Sequence, residues 1–504
     1  MKWERIKNSL GAKFSTKPTL EEMRGILNLS FMHLPVHLRP YFLYLGMYPE
    51  DREIYTIDLV RFSFCEGFVC NLHGVDLEDV AKSYFDELIN RSLIQPEEIC
   101  YGDVVSCRVH NMMVDLIISK NKENNFISVA YNYEDMARLQ SCEYKVHRLS
   151  LKSGVGGATS ETLATSMSQV RSYARFGESK YIPHLSQFKY LRVLFFEFPD
   201  GWDMIVDLTA IGHLFLLRYL KVLARLADVA LPTEIRGLVH LESLELSCRS
   251  VQSFPSDITR LANLFHLKLP YGAMLPEGIQ NMKSIRTLHY TGMLKNSLED
   301  IKGLSELTNL KELMLCTPYE QCLTVEHVNA LVSSIQMLRD LKHLSLVCWG
   351  KLDDYGSRLN SLVDPPRLEV LNLATWELSR APRWIGELCC LRVVSLHVLH
   401  MSSDEVRVLG DLPSLVDATI RVSELSQDKV VVGTGLFPVL EYFFFRSDED
   451  VTAYLSFEAG AMPKLRTLNV AFGWQEWRGG TPFGMECLPC LQDIRVRLTL
   501  ILPC

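Results

Sequence analysis

Leu241-Glu242-Ser243-Leu244-Glu245-Leu246 is one copy of an apolar phrase, L-x-x-L-x-L, that returns from about Lys145 to the C-terminus. Clear further copies are Leu310-Lys311-Glu312-Leu313-Met314-Leu315, Leu341-Lys342-His343-Leu344-Ser345-Leu346 and Leu368-Glu369-Val370-Leu371-Asn372-Leu373. Looser copies start at Val146, Val170, Leu191, Leu217, Leu264, Ile285, Leu391, Leu415, Leu440, Leu465 and Leu491. Successive starts lie 21 to 27 residues apart, with one gap of 31 between Leu310 and Leu341. A helical stripe would not hold the same three apolar offsets through so many windows.

Each phrase is expected to form one short strand, too small to bury its apolar side alone. Stacking copies in parallel closes the strand edges and gives a continuous core. This is the signature of a leucine-rich repeat array of about fifteen irregular repeats. Between phrases, Leu231-Pro232, Phe254-Pro255, Leu275-Pro276 and Ala381-Pro382 put a proline at a similar offset, and Trp384-Ile385-Gly386-Glu387-Leu388 continues one of them. The return segments are therefore expected to be short turns and helices, not strands. The ninth position of the phrase, where many arrays repeat an asparagine, holds Arg249, Gly272, Met293, Pro318, Trp349, Trp376 and Gly473. The array has no asparagine ladder.

A chain of 504 residues with 48% hydrophobic and 22% charged residues is globular throughout. Its net charge of −8 argues against a general grip on nucleic acid or an anionic membrane. Met1 to Lys7 lack the apolar run of a signal peptide, and no window approaches the roughly 18 apolar residues of a membrane span. The expected location is the cytoplasm, with the nucleus or the membrane periphery as alternatives on assembly. The 14 cysteines then read as reduced thiols, several buried in strands (Cys248, Cys316, Cys348). Cys487-Leu488-Pro489-Cys490 has metal-ligand spacing but no second pair, so a structural role is expected.

The first 140 residues do not repeat. Thr19-Leu20-Glu21-Glu22 is a capping box ahead of a helix carrying Leu20, Met23, Leu27 and Phe31, which Pro35 ends. A second helix is expected from Val36 to Leu45. Thr56 should cap a third, with Ile57, Val60 and Phe64 on one face and Gly67 just past it; Asp76 should start a fourth. Ser92 to Gln95 and Val104 to Val109 read as two strands around a turn with Tyr101-Gly102-Asp103, and Asn111 should cap a last helix from Met112 to Ser119. Helices followed by a hairpin make a winged helix. The expected fold is thus α/β: a small winged-helix domain over 1–140, then an irregular leucine-rich-repeat solenoid, a horseshoe, over 141–504.

Winged helices often bind DNA. Here the helix before the wing, Asp76 to Arg91, carries Asp76, Glu78, Asp79, Asp86 and Glu87 against Lys82 and Arg91, a net of −3 that phosphates would repel. A protein-packing role is expected instead.

The words within this segment resemble the C-terminal part of plant intracellular nucleotide-binding leucine-rich-repeat immune receptors, of the coiled-coil class common in cereals. The matching phrases are Ile26-Leu27-Asn28-Leu29-Ser30-Phe31, Leu34-Pro35-x-His37-Leu38-Arg39, Phe42 to Asp51, Glu66-Gly67-Phe68-Val69, Tyr84 to Ile94 and Arg108-Val109-His110-Asn111. The resemblance implies that the winged helix is the last lobe of an ATPase switch, where a Met-His-Asp motif senses ADP. The matching positions here are Val109, His110 and Asn111, so the carboxylate is lost and ordinary autoinhibition is put in question; Ser63 stands where relatives usually carry Trp. ADP or ATP is implied for full-length relatives, but no G-x-x-x-x-G-K-S/T occurs, so no cofactor is expected in this chain and no ATP hydrolysis. No G-x-S-x-G or H-E-x-x-H occurs either, so no enzyme is expected.

The outward positions of the repeat strands form a surface suited to a protein partner. Toward the C-terminus they gain Trp349, Trp376, Tyr442, Phe444, Arg446, Trp474 and Trp477, the residue types that anchor interfaces, although roughly half should turn inward as core. The resemblance implies recognition of a pathogen effector or a modified host protein there, with the first repeats packed on the winged helix to restrain it. A missing nucleotide-binding domain or a paired receptor would be a further partner. The alternative is a stand-alone adaptor such as a ubiquitin-ligase substrate receptor, which would normally carry an F-box-like helical segment.

Overall fold

The computed structural model describes residues 20–69, 74–100, 103–131, 133–141, 145–152, 167–177, 184–201, 204–252, 254–270, 273–292, 296–317, 324–348, 355–424, 430–447, 455–473 and 482–499. It divides into two compact units, Met1–Trp202 with Ala210–Ala224, and Asp203–Thr209 with Arg225–Cys504.

The first unit opens with α1 (Leu20–Met32), α2 (Leu38–Tyr44), β1 (Ile54–Tyr55), α3 (Thr56–Glu66), α4 (Leu77–Asn90), β2 (Gln95–Cys100), β3 (Asp103–Arg108) and α5 (Asn111–Asn124). The three strands form an antiparallel sheet in the order β1-β3-β2, which completes a winged helix. Helix α3 stops where Gly67 adopts φ +80°, a left-handed conformation that costs glycine nothing, and the Phe68 N–H returns to the Ser63 carbonyl at 2.9 Å. Asp76 caps α4, accepting from the Glu78 N–H at 3.1 Å.

Three local expectations are corrected. Thr56 is the first residue of α3 rather than its cap, and its hydroxyl donates instead to the Val104 carbonyl at 2.8 Å, tying helix to wing. Ser92 to Ile94 are not a strand: Ser92 turns at φ 57° and Leu93 and Ile94 are buried, so the wing begins only at Gln95. The cap of α5 is His110, not Asn111, as the imidazole reaches the helix end and Asn111 becomes its first turn. Thr19 and Tyr101-Gly102 lie outside the described residues.

The same unit continues through β4 (Ser128–Ala130), α6 (Tyr133–Ser141), β5 (Arg148–Leu151), β6 (Ser172–Arg175) and β7 (Val193–Glu197). A short strand, β8 (Ile205–Asp207), precedes β9 (Tyr219–Ala230), whose first residues pair in parallel with β7. Strands β4 to β7 are likewise parallel. Strand β4 carries no leucine phrase, only Phe126, Ile127 and Val129, and so escaped the repeat pattern.

The second unit holds β10 (Ser243–Val251), β11 (His266–Lys268), β12 (Thr287–Gly292), α7 (Leu298–Gly303), β13 (Glu312–Thr317), α8 (Val325–Met337), β14 (His343–Cys348), β15 (Val370–Leu378) and β16 (Val393–Val398). It ends with α9 (Ser403–Gly410), β17 (Asp417–Val422), β18 (Val430–Val432), β19 (Tyr442–Ser447), β20 (Leu455–Phe457), β21 (Thr467–Gly473) and β22 (Asp493–Thr499). Strands β10 to β17, then β19, β21 and β22, form one parallel ladder.

In every phrase the repeat strand begins two residues after the first apolar position. That position is buried in each from Val146 to Leu465, so within each unit the stacked turns share a core, the arrangement of leucine-rich repeats. Return segments after proline fold into single 3-10 turns, as Ile258, Ile279 and Ile385 donate back to Pro255, Pro276 and Pro382 at 3.3, 3.1 and 3.2 Å. The 31-residue gap is filled by helix α8. The return side is not wholly free of strands, however. Val430–Val432, a β-branched run, and Leu455–Phe457 pair in parallel as a separate two-stranded sheet.

Candidate functional site

Helix α3 places Asp58, Phe62 and Glu66 four residues apart, and therefore on one stripe. All three are buried. They meet the outward positions of the first repeat strands, those that alternate with the leucines. Lys221 on β9 pairs with Asp58, whose Oδ1 also lies 3.4 Å from the Tyr219 hydroxyl. Phe62 sets its ring edge-on to Tyr219 at 4.5 Å and tilts against Phe195 of β7 at 5.8 Å. Glu66 accepts from Nε and Nη2 of Arg148 on β5, at 3.0 and 2.8 Å.

Around this stripe the contact is closed by smaller pieces. Arg218 donates to the Cys65 carbonyl at 3.0 Å, setting a cation at the negative end of the α3 dipole. The Ser150 hydroxyl donates to the Met47 carbonyl at 2.6 Å, and Arg52 pairs with Glu197. The Arg148 guanidinium lies 4.2 Å over the Phe126 ring. Ala174, Val193, Phe195 and Tyr219, all outward on their strands, and Phe176 just past β6 join the same buried cluster as Phe42, Tyr48 and Phe62 of the winged helix. The resemblance implies packing of the first repeats on the winged helix but does not name the residues that make it: the face of α3 singled out in the sequence is that of Ile57, Val60 and Phe64. Ile57 is 46% exposed. The overlooked signal was the spacing of Asp58, Phe62 and Glu66, whose carboxylates resemble a solvated face until cations on the strands neutralise them.

At the Met-His-Asp position, Val109 is buried while His110 and Asn111 are exposed. The His110 Nδ1 accepts the Met112 N–H at 3.3 Å, which leaves Nε2 as the ring's donor. One donor beside a valine and an amide makes no cradle for phosphates. These residues alone do not fit a nucleotide.

In the second unit, β19 alternates as the phrase demands. Phe443 and Phe445 are buried, whereas Tyr442 is 39% exposed and Phe444 and Arg446 are half-buried. Register aligns Tyr442 with Asp417 and Thr467, Phe444 with Thr419 and Asn469, and Arg446 with Arg421 and Ala471. Three predicted anchors thus share one strand and one face. Trp376 is corrected: only 1% exposed, it fills the core at the end of β15, and its indole Nε1 has no hydrogen-bond partner among the described residues. Trp349, Trp474 and Trp477 lie outside the described residues, as do Gly272, Met293 and Pro318.

The same face carries a polar trio on β12 to β14, where Oε1 of Glu312 lies 3.3 Å from Nε2 of His289 and 3.7 Å from Nδ1 of His343. Burial would push the Glu312 carboxyl up, but the two imidazoles hold it well below the usual range. Beside Tyr442, burial pushes Asp417 up to about 6. Among the described residues no helix is long and apolar enough to cross a membrane.

A parallel leucine-rich sheet joined to a winged helix that lies on its first strands defines a class, and the comparisons agree. Residues 47–117 match the winged helix domain of disease resistance proteins, and residues 169–500 match the leucine-rich repeat region family. The chain belongs to the leucine-rich-repeat disease resistance proteins of plants. It is similar to disease resistance protein RGA5 of Oryza sativa subsp. japonica, 35% identical over 98% of this chain and 45% of that protein. Disease resistance protein Pik-2 of the same organism is 26% identical over 99% of this chain and 53% of its own length. Disease resistance protein RPP13 of Arabidopsis thaliana is 28% identical over 86% of this chain and 53% of its own. The chain spans about half the length of the curated relatives it matches.

Proposed function

We propose that the chain is the sensing and restraining part of a disease resistance receptor, acting in the cytoplasm by binding and not by catalysis. The outward face around Tyr442, Phe444 and Arg446 recognises a pathogen effector or a host protein that an effector has modified. The first repeats hold the winged helix through the α3 stripe until that event. ADP or ATP, where relatives use it, is held by parts of the receptor other than the residues described here, with His110 adding one contact at most.

The observation that carries this reading is the contrast in outward positions. Those of β5 to β7 and the start of β9 are buried against the winged helix, while Tyr442 on β19 stands open. Aromatic and arginine side chains in register on a rigid sheet are the usual anchors of a protein interface.

The test is a binding screen of the purified chain against secreted pathogen proteins, repeated with Tyr442→Ala/Phe444→Ala. A partner whose affinity falls at least tenfold while the melting temperature stays put supports the reading. Undiminished binding would sink it. An immunoblot of native tissue with an antibody to the repeats sizes the endogenous protein; a band much heavier than 57.6 kDa restores the nucleotide switch to the account.

A further inference from the structure

Cys389 and Cys390 sit side by side in the turn between the 3-10 segment Arg383–Glu387 and β16. Leu388 and Leu391 on either side are buried and fix the turn to the core, while both cysteines are exposed. Their sulfurs lie 3.9 Å apart, within hydrogen-bond reach of each other.

A direct disulfide does not suit this pair. Consecutive Cα atoms are held about 3.8 Å apart across a trans peptide, below the roughly 4.4 Å at which disulfides begin. An atom bonded to both sulfurs does suit it. Bonds of about 2.3 Å, as for zinc–thiolate, reach sulfurs about 3.7 Å apart at a tetrahedral angle. Zinc, however, needs about four ligands in a structural site, and the charged groups near Cys390 are Arg367 and Glu369, only one of which is a ligand type. The centre that fits is one satisfied by two sulfurs.

We propose that Cys389 and Cys390 form a chelating dithiol site for trivalent arsenicals. An arsenic-oxide group R–As=O condenses with the two thiols. Two As–S bonds form, the As=O bond breaks, and both thiol protons leave with the oxygen as water. Arsenic stays trivalent, and no oxidant or reductant is needed. The hydrogen bond shared with Cys389 pushes the Cys390 thiol up, which keeps on that sulfur a proton for the condensation to release. Buried Cys65, Cys107, Cys248, Cys316 and Cys348 are shielded from the reagent.

Intact-mass spectrometry of the full chain treated with phenylarsine oxide in excess glutathione tests this, because the monothiol removes adducts held by one sulfur. The expected result is one phenylarsine per chain, mapped to the peptide containing Cys389 and Cys390 and released by dimercaptopropanol. It should vanish in Cys389→Ser and in Cys390→Ser and survive in Cys487→Ser. Absence of the adduct from the wild-type chain, its persistence in either serine variant of the pair, or its mapping to Cys487 and Cys490 overturns the proposal. Circular dichroism of the variants shows that the fold is kept.

Discussion

Arg148 and Glu66, 82 residues apart in sequence, meet through two N–H donors on a single carboxylate oxygen, with Glu66 almost wholly enclosed. A buried pair of this kind adds little relative to two apolar groups, but halving it strands a charge. Glu66→Ala or Arg148→Ala should each destabilise the first unit by about 3–5 kcal/mol. The double variant should cost clearly less than the sum of the two. Urea unfolding of all four proteins checks this, and strict additivity would show that the pair is not coupled.

Asp58 and Lys221 make the equivalent clasp at the other end of α3. If the clasps hold the helix to the strands, Lys221→Met should loosen it locally. Hydrogen exchange of the α3 amides is expected to speed up by tenfold or more, with protection in β15 unchanged. Equal acceleration in both would point to global destabilisation instead.

Tyr442 and Trp376 should separate recognition from packing. Tyr442→Ala, on an open face, is expected to change stability by no more than about 0.5 kcal/mol. Trp376→Ala opens a cavity in the core and should cost about 3–5 kcal/mol. Trp376→Phe should cost much less than Trp376→Ala, because the indole N–H has no partner to lose. Thermal melts of the three variants rank them.

Asp417 gives a pH signature. Its carboxyl is raised by burial to about 6 in the folded chain, against about 3.9 unfolded. Between these values the folded state holds the proton and the unfolded state does not, so stability falls as pH rises through about 4 to 6 and then levels off. Asp417→Asn should therefore be more stable than wild type by about 1–2 kcal/mol at pH 8, partial exposure reducing the full linkage value, and equal to it near pH 4. Unfolding midpoints at the two pH values check the sign.

Much of this architecture was legible because it rests on apolar spacing. The phrase starts from Val146 to Leu465 are buried as their positions require, and Gly67 and Asp76 end and begin helices as their chemistry directs. What escaped were positions where polarity and burial part company. Asp58 and Glu66 are carboxylates made interior by distant cations. His110 took the cap from Asn111 because the helix begins one residue earlier, where the imidazole nitrogen meets the Met112 N–H. Trp376 turned inward at the ninth position, where its indole is buried although the residue type suits an exposed anchor. Strands β4, β18 and β20 are three residues long and carry no L-x-x-L-x-L phrase, so no periodicity marked them.

The alternation within each phrase divides the sequence into two nearly independent texts. Leucines write the solenoid, and any repeat can accept them in any order along the stack. The residues between them are written by whatever rests on the sheet, which for β5 to β7 and the start of β9 is a helix of the same chain. Arg148, Phe195, Tyr219 and Lys221 are thus an address, spelled in positions that the fold itself leaves blank. A repeat moved along the array would keep its structure and lose its meaning.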